Sequence, residues 1–234
     1  MIKAVFFDWF NTLAHYQPPR EELESKVLQE VGINVPLEQI KHGLLIADKE
    51  YFEESARSPV QKRTPEEQAK VYTRYQRTVL TEAGLNVPEE LLPKIMRRLQ
   101  QLYRGMTFVL FGDVLPTLKT LKEQKLTLGL LTNLNTDIDS ICQKLGVSSY
   151  LDFTVTSAEA GADKPQPPIF LLALERAGVK APEAVHVGDQ YKLDVIGARE
   201  VGITPILIDR SDSYPEVNDC PRIRSLIELA GNLQ

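Results

Sequence analysis

The sequence predicts an α/β protein whose parallel sheet is interrupted, just after its first strand, by a block of helices. Three observations predict it. Short apolar runs stop abruptly at polar residues, helical patterns alternate with those runs through the C-terminal part, and one long stretch near the N-terminus carries helical periodicity with no convincing strand.

Ile2 to Phe7 (IKAVFF) is apolar but for Lys3, the pattern of a buried strand, and it ends at Asp8. From about Pro18 to about Arg104 the pattern changes to charged helices, expected over Arg20 to Val31, Leu37 to Ser55, Thr64 to Ala83 and Pro88 to Tyr103. Gly32, the Ser58-Pro59 step and Gly84 to Pro88 separate them. Beyond this block, Leu126 to Leu131 (LTLGLL), Ala184 to Val187 (AVHV) and Pro205 to Ile208 (PILI) read as strands ending at Thr132, Gly188-Asp189 and Asp209. Helices are expected at Val114 to Glu123, Asp137 to Leu145, Pro168 to Ala177 and Leu193 to Val201. Such β-α alternation calls for a Rossmann-like parallel sheet core, here residues 1–16 and 106–234, with an inserted α-helical cap at 17–105. Ligands of open parallel sheets bind outside the carboxyl ends of the strands, so the polar strand ends mark the expected site.

Composition narrows the function classes. With 43% hydrophobic and 25% charged residues among 234, the chain reads as a folded, soluble protein. Its 27 Lys and Arg against 32 Asp and Glu, a net charge of -5, give no electrostatic reason to expect nucleic acid or an anionic membrane as partner. Cys142 and Cys220 form no CxxC pair, and the opening Met-Ile-Lys runs too directly into Asp8 for a signal peptide. No apolar stretch reaches membrane-spanning length, so a soluble, unexported protein is expected, and the cysteine usage suggests a reduced, cytoplasmic setting. Charged segments such as RTPEEQAK from Arg63 read as solvated helix faces.

Asp8, Thr132, Lys164 and the Asp189/Asp194 pair supply a carboxylate nucleophile, a hydroxyl donor, a cation and a second acidic cluster. Those parts suit attack on an electrophile whose anionic oxygens must be held and neutralised. Each also has a plainer account. Asp8 could cap a turn, Thr132 and Asn133 a helix; Lys164 could be a solvated loop residue, and Asp194 a carboxylate favoured by a helix dipole.

The segments FFDWFNTL (Phe6 to Leu13), LLTN (Leu130 to Asn133), GADKPQPPIF (Gly161 to Phe170) and VGDQYKLD (Val187 to Asp194) resemble, in order, the four motifs of the haloacid dehalogenase superfamily. The helical insertion falls just after the first, as in that family. The resemblance implies a hydrolase in which Asp8 forms a covalent aspartyl intermediate, while Thr132 and the neighbouring backbone hold an oxygen of the transferring group. Lys164 would neutralise that group and Asp8, and Asp189 would bind Mg²⁺ together with the Asp8 carboxylate and the main-chain carbonyl of Phe10. Asp194 would orient Lys164 or a metal-bound water, and Trp9, Phe10, Thr132, Asn133 and Lys164 would lie toward a small, anionic substrate.

The resemblance breaks at Phe10. Superfamily phosphatases carry there a second aspartate that protonates the leaving oxygen, a contribution of about 10²- to 10⁴-fold that a phenyl ring cannot make. The 2-haloacid dehalogenases carry a tyrosine instead, and TNLN (Thr132 to Asn135) looks like their SNGN. Motif four points the other way, because both acidic positions of the Mg²⁺-dependent members are present, and carboxylates beside Asp8 are best explained by a cation. The favoured reading is a Mg²⁺-dependent phosphatase of a small phosphorylated metabolite, slow or borrowing its acid. The second is a metal-free dehalogenase-type hydrolase needing a cap cation, with Arg74, Arg77 and Arg104 as candidates; the third is a non-catalytic binding or regulatory protein. Trp9 reads equally as pocket lining or packing, His15 as a structural residue or substitute acid, and His186 as a core histidine.

Overall fold

The computed structural model describes residues 1–134 and 136–233. The chain divides into two compact units, one formed by Met1–His15 with Val109–Gln234 and the other by Tyr16–Phe108. In chain order the strands are β1 (Ala4–Phe7), β2 (Ala14–Gln17), β3 (Thr107–Leu110), β4 (Thr127–Thr132), β5 (Phe153–Thr156), β6 (Ala184–Gly188), β7 (Thr204–Ile208) and β8 (Arg222–Ile223). The helices are α1 (Arg20–Glu30), α2 (Leu37–Arg57), α3 (Pro65–Glu82), α4 (Leu92–Tyr103), α5 (Val114–Glu123), α6 (Ile138–Lys144), α7 (Ser157–Ala160), α8 (Pro167–Ala177) and α9 (Gly197–Glu200).

In the first unit, six strands form a parallel sheet in the order β5-β4-β1-β6-β7-β8. All four residues of β1 are buried, as expected for the middle of a sheet covered on both faces. It pairs with β4 (Phe7 opposite Leu130) on one side and with β6 (Phe7 opposite Val187) on the other. Strand order therefore reverses at β1, where the chain turns from building one half of the sheet to the other, and such switch points open crevices at the strand ends. Beneath, Phe6 meets Phe153 edge-on, ring centroids 5.9 Å apart. Gly129 makes that possible, because a Cβ there would lie 2.5 Å from the Phe153 ring.

Three features depart from the sequence expectation. Strand β5 (FTVT) and the short β2, β3 and β8, only two to four residues long, are not among the elements expected from the sequence, and β2 and β3 form a two-stranded sheet of their own. The helix expected over Leu193 to Val201 begins instead as a π-helical turn, Tyr191–Ile196, before continuing as α9. The one expected from Pro88 starts at Leu92, since Pro88 to Leu91 closes a tight turn, the Leu91 N–H donating to the Pro88 carbonyl at 2.9 Å, and Pro93 occupies the first helical turn.

The second unit is all-helical apart from the strand ends. Val27, Leu28, Ile40, Leu44, Val79, Leu80, Ile95 and Leu99 form its apolar core. Thr64 and Glu67 cap α3 reciprocally, the Glu67 N–H donating to Thr64 Oγ1 and the Thr64 N–H to Glu67 Oε2. Its interior is not wholly apolar: Arg20 pairs with Asp48 beside Tyr75, and Glu24 accepts hydrogen bonds from Gln76 and Tyr103. No helix among the described residues is long and apolar enough to cross a membrane.

Candidate active site

Asp8 is the first residue beyond β1, and its N–H donates to the Val187 carbonyl on β6 (2.9 Å), so the ladder fixes where its side chain leaves the sheet. A compact turn follows. The Trp9 carbonyl accepts the N–H groups of Leu13 (2.9 Å) and Ala14 (3.0 Å), while Asn11 adopts a left-handed φ of 58° and donates its N–H to the Ala14 carbonyl. Asparagine tolerates that conformation better than most side chains.

Lys164 reaches the same point from the other half of the sheet. Its ammonium group, 3% exposed, donates to Asp8 Oδ1 (2.6 Å), Asp194 Oδ1 (2.7 Å) and the Leu131 carbonyl (3.2 Å). All three ammonium donors are thus matched. Its backbone is fastened by Asn133, whose Oδ1 accepts the Lys164 N–H (2.8 Å) and whose Nδ2 donates to the Lys164 carbonyl (3.1 Å). Thr132 ends β4 beside Leu131, and its Oγ1 accepts the Leu134 N–H at 3.2 Å.

From β6, Asp189 follows the strand directly, and the π-helical turn folds Asp194 back over Gly188, with Asp194 Oδ2 accepting the Gln190 N–H (3.0 Å). The approach is so close that a Cβ on residue 188 would stand 2.2 Å from Asp194 Cγ. One carboxylate oxygen from each of Asp8, Asp189 and Asp194 lies within 4.8 Å of the other two.

The cluster therefore holds three carboxylates and one ammonium, which pairs with Asp8 and Asp194. Burial raises the Asp8 carboxyl to about 6, with Lys164 pulling it down and Asp194 adding to the rise. Desolvation, then the charges of Asp8 and Asp194, push Asp189 well above the carboxylate range. Asp194 is held low: burial alone would raise it, but Lys164 and His186 outweigh that. Burial likewise opposes the charge on Lys164, yet Asp194 and Asp8 keep it raised. Such a set of oxygens, with Asp189 unmatched by any cation of its own among the described residues, fits a hard divalent ion.

A family model for haloacid dehalogenase-like hydrolases matches residues 2–202. The chain belongs to this family. Among relatives of this haloacid dehalogenase-like hydrolase, a ribulose-1,5-bisphosphate 5-phosphatase of Halopiger xanaduensis is 31% identical over 95% of this chain and 91% of its own length. A glyceraldehyde 3-phosphate phosphatase of Methanopyrus kandleri is 32% identical over 94% and 90%. Among solved structures, a 2-haloacid dehalogenase from Pseudomonas syringae superposes with a TM-score of 0.57 at 28% identity, covering 100% of this chain and 98% of that one.

The hydrolase core brings Asp8, Lys164, Asp189 and Asp194 together, with Thr132 and Asn133 at the adjoining strand end. Lys164 is buried, which rules out a solvated loop lysine. Trp9 is wholly buried and Phe10 only partly so. The His15 ring packs against Phe111, centroids 4.7 Å apart. Arg74, Arg77 and Arg104 belong to the helical unit, where Arg74 pairs with Glu54, Arg77 donates to Glu89 at 2.7 Å, and Arg104 ends α4. Asn135, the last residue of TNLN, lies outside the described residues. The sequence did not reveal the two hydrogen bonds between the Asn133 side chain and the Lys164 backbone, or the contact between His186 and Asp194. An LLTN strand end and a lysine 31 residues on give no sign that their backbones meet.

Proposed function

We propose that the protein is a Mg²⁺-dependent phosphohydrolase acting through Asp8 on a small phosphorylated metabolite. The observation that carries the reading is the acidic cluster itself: Asp189 and Asp194 crowd the nucleophile, an arrangement that a metal-free enzyme would have to sustain against charge repulsion. Two relatives named as phosphatases support it.

Asp8 attacks phosphorus, expels the leaving oxygen as an oxyanion that takes its proton from solvent, and becomes an acyl phosphate, which water then hydrolyses to phosphate and the free carboxylate. Lys164 grips Asp8 Oδ1, orienting the carboxylate, and offsets charge on the transferring group. Thr132 Oγ1 stands as a donor to one phosphoryl oxygen, Asn133 keeps Lys164 in place, and Asp194 fixes its ammonium from behind. Asp8, Asp189 and the main-chain carbonyl of Phe10 would hold Mg²⁺, which when bound supplies positive charge to the phosphoryl oxygens. Phe10 contributes no proton to the leaving oxygen, so turnover favours substrates whose leaving groups are acidic. The helical unit Tyr16–Phe108 serves as the cap that selects substrate.

A second reading, a carbon-centred dehalogenase, is favoured by the aromatic residue at position 10 and by the similarity to a 2-haloacid dehalogenase. Release of phosphate from p-nitrophenyl phosphate and of chloride from 2-chloropropionate, each measured with Mg²⁺ and with EDTA, separates the two. Phosphate release that needs Mg²⁺ supports the phosphohydrolase, and chloride release in EDTA overturns it.

A further inference from the structure

His186 lies on β6, opposite Phe6 on β1 and Pro205 on β7, and is completely buried. Its Nε2 stands 2.9 Å from Asp194 Oδ1, the oxygen that also accepts the Lys164 ammonium at 2.7 Å. On its other side the ring presents itself edge-on to Phe170, with centroids 5.2 Å apart, and its buried Nδ1 has no hydrogen-bond partner among the described residues. A ring with one nitrogen on a carboxylate and the other facing nothing carries its proton on Nε2 and donates it to Asp194. Burial lowers the imidazole pKa, in keeping with that neutral form.

As packing alone this is a poor solution, because an aliphatic side chain would fill the space without stranding a nitrogen. From these contacts we infer that His186 is a positioning residue, holding Asp194, and through it Lys164, in the geometry that serves Asp8. The inference rests on the phosphohydrolase reading. Three donors fix the Asp194 carboxylate: His186 and Lys164 on Oδ1 and the Gln190 N–H on Oδ2. Without the imidazole, Oδ1 keeps Lys164 alone, and the carboxylate, held by two donors instead of three, is less constrained about its Cβ–Cγ bond. The ammonium it carries is then displaced relative to Asp8.

The test compares His186→Leu, which removes the donor, with His186→Gln, whose side-chain amide restores one at similar reach. Expected are a fall in kcat of about tenfold or more for the leucine variant, KM within about threefold, an unlowered thermal midpoint, and recovery of most of the loss by glutamine. Wild-type kcat in a folded leucine variant overturns the inference, as do equal losses in both variants that follow their thermal midpoints. A readout independent of turnover is the ¹⁵N NMR signal of the buried Lys164 ammonium, expected to shift in the leucine variant and to return toward wild type in the glutamine variant. An unchanged signal in the leucine variant also overturns it. If the wild type itself releases no phosphate, the phosphohydrolase reading fails by itself, and the Lys164 signal still decides whether His186 positions that group.

Discussion

Glu24 offers a quantitative check on how the helical unit is built. It is fully buried on α1, with Oε1 accepting the Tyr103 hydroxyl (3.0 Å) and Oε2 the Gln76 amide (2.9 Å). Burial raises its carboxyl from 4.5 to about 7, against the pull of those two donors and of Arg20. Because the folded pKa lies above the unfolded one, the native state binds this proton more tightly. The associated stability is fully present below about 4.5, declines as pH rises, and is gone once pH has passed about 7. The gap corresponds to about 3 kcal/mol. Glu24→Gln keeps the shape and removes the ionisation, and its amide satisfies both neighbours if Gln76 turns its own amide over. Relative to their difference at pH 4.5, the variant should gain up to about 3 kcal/mol on the wild type by pH 8, or about 6–12 °C in thermal midpoint for a chain of this length. Urea unfolding followed by circular dichroism between pH 4.5 and 8.5 measures it. Parallel stability curves for the two proteins would refute the reasoning, since Glu24 would then titrate as it does in the unfolded chain.

Three further substitutions test other joints of the structure. Phe10→Asp, which supplies the missing acid, should raise kcat by about 10²-fold or more on alkyl phosphates and by less on p-nitrophenyl phosphate, as steady-state kinetics with both substrates will show. Gly188→Ala drives a methyl group into Asp194. It should lower kcat at least about tenfold and cost about 1–3 kcal/mol of stability by urea titration. In the helical unit, a Cβ on Gly43 would stand 2.2 Å from the Val79 carbonyl oxygen, so α2 and α3 touch backbone to backbone there. Gly43→Ala should cost a similar 1–3 kcal/mol, roughly, measured in the same way.

Much of the site was legible because parallel sheets concentrate function at strand ends. The runs before Asp8, Thr132 and Asp189 are apolar on both faces, and their abrupt polar stops are visible without a structure. The helical block was legible from its periodicity, whereas the reciprocal cap of Thr64 and Glu67 became visible only in the structure. Less could be read where backbone geometry decides. The π-helical turn at Tyr191–Ile196 has the composition of an ordinary helix, and only its fold over Gly188 shows why Asp194 meets Lys164. His186 is apolar in its surroundings and polar in one contact, so its position within a strand run pointed to packing alone. The clamp of Asn133 on Lys164 joins two loops and leaves no local pattern.

In the proposed mechanism Asp8 carries the transferring phosphoryl group. The most direct measurement is rapid acid quenching of the protein during turnover of p-nitrophenyl phosphate with Mg²⁺, followed by mass spectrometry of the peptide containing Asp8. A phosphoryl adduct on that peptide, missing in EDTA and in Asp8→Asn, is the predicted result. Continued phosphate release by Asp8→Asn, or a 1-carboxyethyl ester on Asp8 formed from 2-chloropropionate with loss of chloride in EDTA, would contradict it.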